Sequence, residues 1–182
     1  MVNKYELKFT SLQTRIFRLF CIKTGETLNQ REIARNLGVS ATAISKSLDL
    51  LEKEKLIIVN KNKTMNLNLI GLNQDSKKVV ELKRVENMGF IYKSGLVDFL
   101  EVNFPGSVII LFGSYSYGED NVDSDIDIAV FGSSKKNLNL SRFDDFLERE
   151  IRVNFYKDFN EVNKNLMSNI FNGIILSGRI SL

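Results

Sequence analysis

The residues with the clearest chemical purpose lie between 107 and 131. An apolar run is followed by Gly113-Ser114, then by ten residues, then by Asp125-Ile126-Asp127. Residues 107–112 are rich in β-branched and large apolar types, are preceded by Pro105-Gly106 and stop at Gly113, which predicts a buried strand. Residues 125–131 predict a second. Side chains alternate along a strand, so Asp125, Asp127 and Ala129 share one face, and Ile126, Ile128 and Val130 share the other. Two carboxylates pointing the same way on a half-buried strand repel each other and resist desolvation unless a cation lies between them. Magnesium suits that place, because it takes hard oxygen ligands and is commonly held by one or two carboxylates together with substrate phosphates. Gly113, lacking Cβ, lets the backbone come close to phosphate oxygens, and Ser114 adds a hydroxyl and a backbone N–H. The pattern predicts an anion cradle facing a cation bridge, a site for a metal-bound triphosphate.

An Asp-x-Asp pair alone says little, since surface loops supply many. Its place in an alternating strand behind a Gly-Ser turn makes it specific. Two other phosphate or cation motifs are excluded. A P-loop needs Gly-Lys-Ser/Thr at the start of a helix, and none follows Gly113. A calcium loop beginning at Asp123 lacks its sixth-position glycine, where Ile128 stands, and its closing glutamate, where Ser134 stands.

Gly113-Ser114, the ten-residue spacer and Asp125-Ile126-Asp127 together resemble the signature of the DNA polymerase β-like nucleotidyltransferase superfamily, in particular its minimal, kanamycin-nucleotidyltransferase-like branch. The resemblance covers residues 90–182. It implies a small mixed sheet flanked by helices, Gly113 and Ser114 on the phosphates of a nucleoside triphosphate, and Asp125 and Asp127 as catalytic ligands of Mg2+. It also implies attack of an acceptor hydroxyl on the α-phosphate with loss of pyrophosphate, chemistry in which the protein mainly positions charge. Members of that superfamily generally carry a third carboxylate on a later strand. Here the later strand is predicted at residues 150–156, with Ile151, Val153 and Phe155 on one face and Glu150, Arg152, Asn154 and Tyr156 on the other. Asn154 aligns with the expected acid and is the third predicted metal ligand. Its amide oxygen can ligate a cation but carries no charge and cannot act as a carboxylate base. Glu150 lies about 13 Å along the strand from that position, too far to replace it.

The first seventy-two residues have a different purpose. Leu12, Ile16, Leu19 and Phe20 follow the spacing of a core-facing helix. The segment 29–48 then breaks at Gly38, with Ala34 small enough for close helix crossing, Ser40 placed to cap the next helix, and Ile33, Leu37, Val39, Ile44 and Leu48 as the buried side. This predicts a helix-turn-helix with residues 40–54 as recognition helix. Residues 56–59 and 65–70, joined by a basic turn at 60–64, predict a β-hairpin wing. The whole resembles a winged helix-turn-helix of bacterial and archaeal regulators. Residues 1–72 hold 12 Lys/Arg against 6 Asp/Glu, and the remainder 13 against 16. A basic module joined to an acidic one points to double-stranded DNA as partner of the first. Arg31, Arg35, Lys46, Lys61 and Lys63 are the expected phosphate contacts, and Ala41, Thr42 and Ser45 the residues expected to reach base edges. The alternative use of a winged module is protein interaction, with these charges as its solvated face.

Residues 73–89 predict a charged connector helix, capped by Asp75 or Ser76 and ended by Gly89, with Lys77, Lys78, Lys83 and Arg84 facing solvent. Further helices are predicted at 94–103, 143–148 and 160–171, and residues 173–176 are expected to close the second core. The predicted fold class is therefore α+β: a winged helix-turn-helix at 1–72, a connector at 73–89 and a nucleotidyltransferase-like mixed sheet flanked by helices at 90–182. An apolar content of 43%, with no repeat or low-complexity tract, supports folded domains. The single cysteine, Cys21, is expected to be buried packing, and the absence of histidine excludes histidine bases and histidine-bound zinc. No long apolar segment or signal-like N-terminus is visible, so a cytoplasmic protein without membrane contact is expected. Most aromatic residues read as core, with Tyr115, Tyr117 and Tyr156 near enough to the predicted pocket to stack a base. The favoured function is a DNA-binding transcriptional regulator, expected to be a homodimer, whose second domain binds Mg-NTP with or without nucleotidyl transfer. The alternatives are an active nucleotidyltransferase acting on a protein, small molecule or nucleic acid recruited by the winged module, and a binding protein in which the second fold is purely structural.

Overall fold

Helix α1 (Ser11–Ile22) begins where Thr10 and Gln13 satisfy each other's backbone: the Thr10 hydroxyl accepts from Gln13 N at 3.2 Å and Gln13 Oε1 accepts from Thr10 N at 2.9 Å. Its buried side is Gln13, Ile16, Phe17, Phe20 and Cys21. The stripe is therefore rotated from the predicted one: Phe17 and Cys21 are inside, while Leu12 and Leu19 are half-buried. This computed structural model describes residues 9–62 and 67–180, and the chain divides into two units, Met1–Val79 and Val80–Leu182.

In the first unit, Asn29 caps α2 (Gln30–Leu37) by accepting from the N–H groups of Arg31 and Glu32, and Glu32 returns the bond to Asn29 N. Gly38 ends that helix at φ +64°, left-handed backbone that glycine adopts without strain. Ser40 caps α3 (Ala41–Lys53), accepting from Ala43 N. These three helices pack together, with Ile16, Phe20, Ile33, Ile44 and Leu51 fully buried. Strands β1 (Ile57–Asn62) and β2 (Leu67–Leu72) form an antiparallel hairpin. Here the sequence reading is corrected: Asn60, Lys61 and Asn62 are not a turn but strand residues opposite Leu69, Asn68 and Leu67. A two-stranded ribbon has a wet face, so its ladder continues through polar residues that look like loop. Leu28 adds a one-residue third strand, exchanging two 2.8 Å backbone hydrogen bonds with Ile70. The unit is a winged helix-turn-helix.

The second unit holds a four-stranded mixed sheet in the order β5-β4-β3-β6. Strand β3 (Val108–Phe112) runs antiparallel to both β4 (Ile126–Phe131) and β6 (Ile174–Ser177), and β5 (Ile151–Tyr156) runs parallel to β4. Both faces are covered, as the unbroken apolar runs require. Ile109, Leu111, Ile126, Ile128 and Val130 join a core with Leu96 and Leu100 of α5 (Leu96–Asn103) and Phe143 of α7 (Ser141–Leu147). Ile110, Phe112, Ala129 and Phe131 join a second core with Val162 and with Ile170 of α8 (Lys164–Phe171). A short α6 (Ser114–Tyr117) links β3 to the spacer. The helix predicted over 160–171 is split: a single 3-10 turn at Phe159–Glu161 precedes α8, which Asn163 caps.

The connector is also corrected. Helix α4 (Lys77–Ser94) runs through Gly89 without a break. A glycine inside a helix costs about 1 kcal/mol relative to alanine, an amount that packing of this helix through fully buried Ile91 outweighs. The chain breaks instead at Gly95, φ +74°, which precedes α5.

Lys83, expected in solvent, is buried at 1% exposure. Its Nζ pairs with Asp120 Oδ1 and donates to Asp120 O at 2.7 Å; Asn87 Nδ2 donates to the same Oδ1 at 2.7 Å and to Tyr115 O at 3.0 Å; Arg149 Nη2 lies 3.6 Å from Asp120 Oδ2. A buried ammonium is tolerated only with such partners. Among the described residues no helix is long and apolar enough to cross a membrane. Replacing Lys83→Met is expected to leave the Asp120 carboxylate inside without its main partner and to cost about 3 kcal/mol in chemical denaturation. Lys83→Met combined with Asp120→Asn is expected to recover part of that loss, and a Lys83→Met protein as stable as the wild type contradicts the assignment.

Candidate functional site

Three strand ends meet at one edge of the sheet: the end of β3 and the starts of β4 and β5. Gly113 leaves β3 at φ +76°, ψ −170°, a conformation essentially confined to glycine. A Cβ built there would lie 2.8 Å from Asp127 Oδ2. The glycine thus gives both the turn and the room for the carboxylate beside it. Gly113 O accepts from the Ser116 hydroxyl at 2.7 Å, and Ser114 O accepts from Glu119 N at 3.0 Å, so Gly113 and Ser114 are fixed by their own short helix. Gly118 then ends α6 against α4, where an added Cβ would be 2.4 Å from Val80 O.

The spacer is built rather than loose. Asp120 is held by the buried Lys83 network, and Asn121 Oδ1 accepts from Asp123 N at 2.9 Å and from the Ser124 hydroxyl at 3.2 Å. This turn delivers Asp125, which stands just before β4 rather than inside it. Its side chain is 25% exposed. Asp127 is the second residue of β4, half-buried, opposite Phe112 on one side and Arg152 on the other. Burial raises the Asp127 carboxyl above the ordinary aspartate range, the Asp125 charge raises it further, and Arg152 opposes both.

Arg152 forms an ion pair with Asp125 and a second contact with Glu150 at 3.5 Å. These acids hold its guanidinium above its usual range, the Glu150 hydrogen bond contributing most. Parallel pairing sets Arg152 beside Asp127 and sets Asn154 beside Ala129, one pair farther into the sheet. The residue facing the acidic pair at closest register is therefore a cation that sequence reasoning placed on the correct face without giving it a role. Among the described residues there is no group of three or more His, Cys, Asp or Glu able to hold a metal. The side-chain oxygens available here to a cation are the carboxylates of Asp125 and Asp127, with Asn154 on the same face of β5 as Arg152. Two hard oxygens beside a glycine cradle fit a magnesium ion that brings phosphate and water as its remaining ligands.

Of the three tyrosines considered for base stacking, Tyr115 is excluded because it is buried in the core at 4% exposure. Tyr156 lies against Phe131, with ring centroids 5.2 Å apart and planes at 27°. Tyr117 is half-buried, with the Arg84 guanidinium 6.0 Å from its ring centroid.

In the winged unit, Arg31, Arg35, Ala41, Thr42, Ser45, Lys46 and Lys61 are all exposed. Ala41, Thr42, Ser45 and Lys46 occupy the outer side of the first turns of α3, while Ile44 and Leu48 face inward. A groove of about 400 Å³ lies between the start of α2 and the wing, lined by Asn29, Gln30, Arg31, Lys61, Leu67 and Asn68. Lys63 lies outside the described residues.

Residues 93–176, a little under half of the chain, match the family described as nucleotidyltransferase domain. No curated protein matches the chain. Among solved structures, the E41A mutant of ZitR from Lactococcus lactis is similar at 22% identity and a TM-score of 0.41, covering 54% of this chain and 64% of that one. The adhesin competence repressor AdcR from Streptococcus pyogenes is similar at 17% identity and a TM-score of 0.43, covering 56% and 71%. The S. aureus MepR–DNA complex is similar at 24% identity and a TM-score of 0.35, covering 52% and 81%.

The raised carboxyl of Asp127 bears on stability. The folded state holds this proton to higher pH than the unfolded chain, so ionised Asp127 lowers stability as pH rises from the ordinary aspartate range through the folded value. Asp127→Asn is expected to melt a few degrees above the wild type at neutral pH, with the gap closing as pH falls below the aspartate range. Thermal melts across that range check it, and a gap that widens in acid contradicts the electrostatics described.

Proposed function

We propose that this protein is a DNA-binding transcriptional regulator whose second domain binds a nucleoside triphosphate with Mg2+. The observation that carries the nucleotide part is the positive-φ Gly113 packed against the half-buried Asp127, with Asp125 beside it, where β3 ends and β4 begins. It lies inside the segment that matches the nucleotidyltransferase domain. In this reading Gly113 and Ser114 cradle phosphate oxygens, and Asp125 and Asp127 hold the cation, with Asn154 as a neutral third ligand. Magnesium would neutralise the phosphates and the paired carboxylates together. The chain's own residues supply the frame: Gly113 gives close approach, the Asn121–Ser124 turn sets Asp125, and the Lys83 network anchors the spacer between them.

In this reading Asn154 takes the place of the third acid that would help to activate an acceptor hydroxyl, and the residue beside Asp127 is the cation Arg152, which favours binding over turnover. The retained Asp125 and Asp127 pair favours the second reading, an active nucleotidyltransferase whose acceptor is recruited by the winged unit. The exposed row on α3 and the basic groove beside the wing support double-stranded DNA as partner of the first unit, with Arg31, Arg35, Lys46, Lys61 and Lys63 on phosphates and Ala41, Thr42 and Ser45 near bases. A homodimer reading paired half-sites fits this use.

Calorimetric titration with each of the four NTPs plus magnesium is expected to show binding that Asp125→Ala with Asp127→Ala abolishes. Equal affinity in the double variant removes the site. Incubation of α-labelled NTP with protein and cell extract separates the two readings: stable transfer of label to an acceptor establishes the second, and bound label alone the first. DNA affinity is expected to fall with salt, and Arg31→Ala with Lys61→Ala is expected to flatten the log–log slope by about 0.9 for each phosphate no longer neutralised. An unchanged slope removes those two residues from the interface.

A further inference from the structure

Asp125 has two claimants, the Arg152 guanidinium that pairs with it and the cation proposed between it and Asp127. We propose that Arg152 is a triphosphate-binding residue kept in reserve on Asp125: it holds that carboxylate when no divalent cation is present, and turns to phosphate oxygens when the carboxylate is given over to the cation. This rests on the nucleotide reading of the site.

Three observations carry the inference. The first is register. Arg152 is the cross-strand neighbour of Asp127 in a parallel pair, so both side chains leave the same face of the sheet. It therefore stands at the edge where Gly113 approaches Asp127 from the other side. The second is release. The Arg152 side chain is 55% exposed and its partners Asp125 and Glu150 are 25% and 66% exposed. Ion pairs this exposed are weak because water screens them, so the guanidinium can leave. The Lys83–Asp120 pair, at 1% and 0% exposure, has no such freedom. The third is chemistry. A guanidinium donates through a planar fork that matches phosphate oxygens two at a time, which an amide or a carboxylate at this place cannot do. With Asp125 and Glu150 paired to Arg152 and Asp127 beside it, a further acid at this place would add repulsion, whereas Arg152 offsets it and leaves these strand ends attractive to a polyphosphate.

The two roles predict effects of opposite sign. Without Arg152, Asp125 is open to cations, and Arg152→Gln is expected to bind Mn2+ alone about fivefold more tightly, read by loss of the free-ion electron paramagnetic resonance signal. The same variant is expected to bind inorganic triphosphate and ATP, each with magnesium, about tenfold or more weakly in calorimetry, because charge-assisted hydrogen bonds are removed. Arg152→Lys keeps the charge without the fork and is expected to fall between. Mn2+ affinity that is unchanged or weaker in Arg152→Gln, or triphosphate affinity that the variant keeps in full, overturns the inference. Failure of the wild type to bind either polyphosphate removes the nucleotide reading itself, and this inference with it; wild-type binding retained by Arg152→Gln removes only the role of Arg152.

Discussion

Two carboxylates placed together at the start of β4 need positive charge close by, and much of the second unit follows from that need. Asp127 is half-buried beside a glycine that leaves no room for a side chain, and Asp125 stands two residues before it. In the protein alone the charge is Arg152, brought alongside by the parallel pairing of β5 with β4. A bound divalent cation would meet the same need more fully. The sheet order places Arg152 beside the start of β4, where both acids stand.

The other demand is rigidity in the spacer. Ten residues separate Ser114 from Asp125, and a flexible stretch of that length would let the acids wander relative to the cradle. Here the stretch is tied through its middle: Gly118 is pressed against the backbone of α4, and Asp120 is enclosed by Lys83, Asn87 and Arg149. Such a network is costly to bury and strongly destabilising to break, which ties the integrity of this unit to the geometry of its edge. The winged unit is organised differently, with local caps at Thr10, Asn29 and Ser40 setting three short helices over a small apolar core.

What could be read from sequence was mostly local. The Gly38 turn, the Ser40 cap, the strand after Pro105-Gly106 and the alternation of residues 125–131 are decided by neighbours a few positions away, and the structure agrees with each except that Asp125 stands just before its strand. What could not be read depends on distant partners. Lys83 looks like one more solvated lysine until Asp120, thirty-seven residues later, is folded against it. Gly89 reads as a helix end because the packing that carries α4 past it is tertiary. Arg152 and Asn154 both alternate onto the correct face, and only the register of β5 against β4 decides which one stands beside Asp127. The polar residues 60–62 hide a ladder whose hydrogen bonds do not depend on side-chain type.

The most direct test of the central claim is a structure determined with magnesium and a non-hydrolysable nucleoside triphosphate. The account predicts the cation between Asp125 and Asp127 and the phosphates against the Gly113-Ser114 turn. Nucleotide bound elsewhere, or no nucleotide bound at saturating concentration, would contradict it.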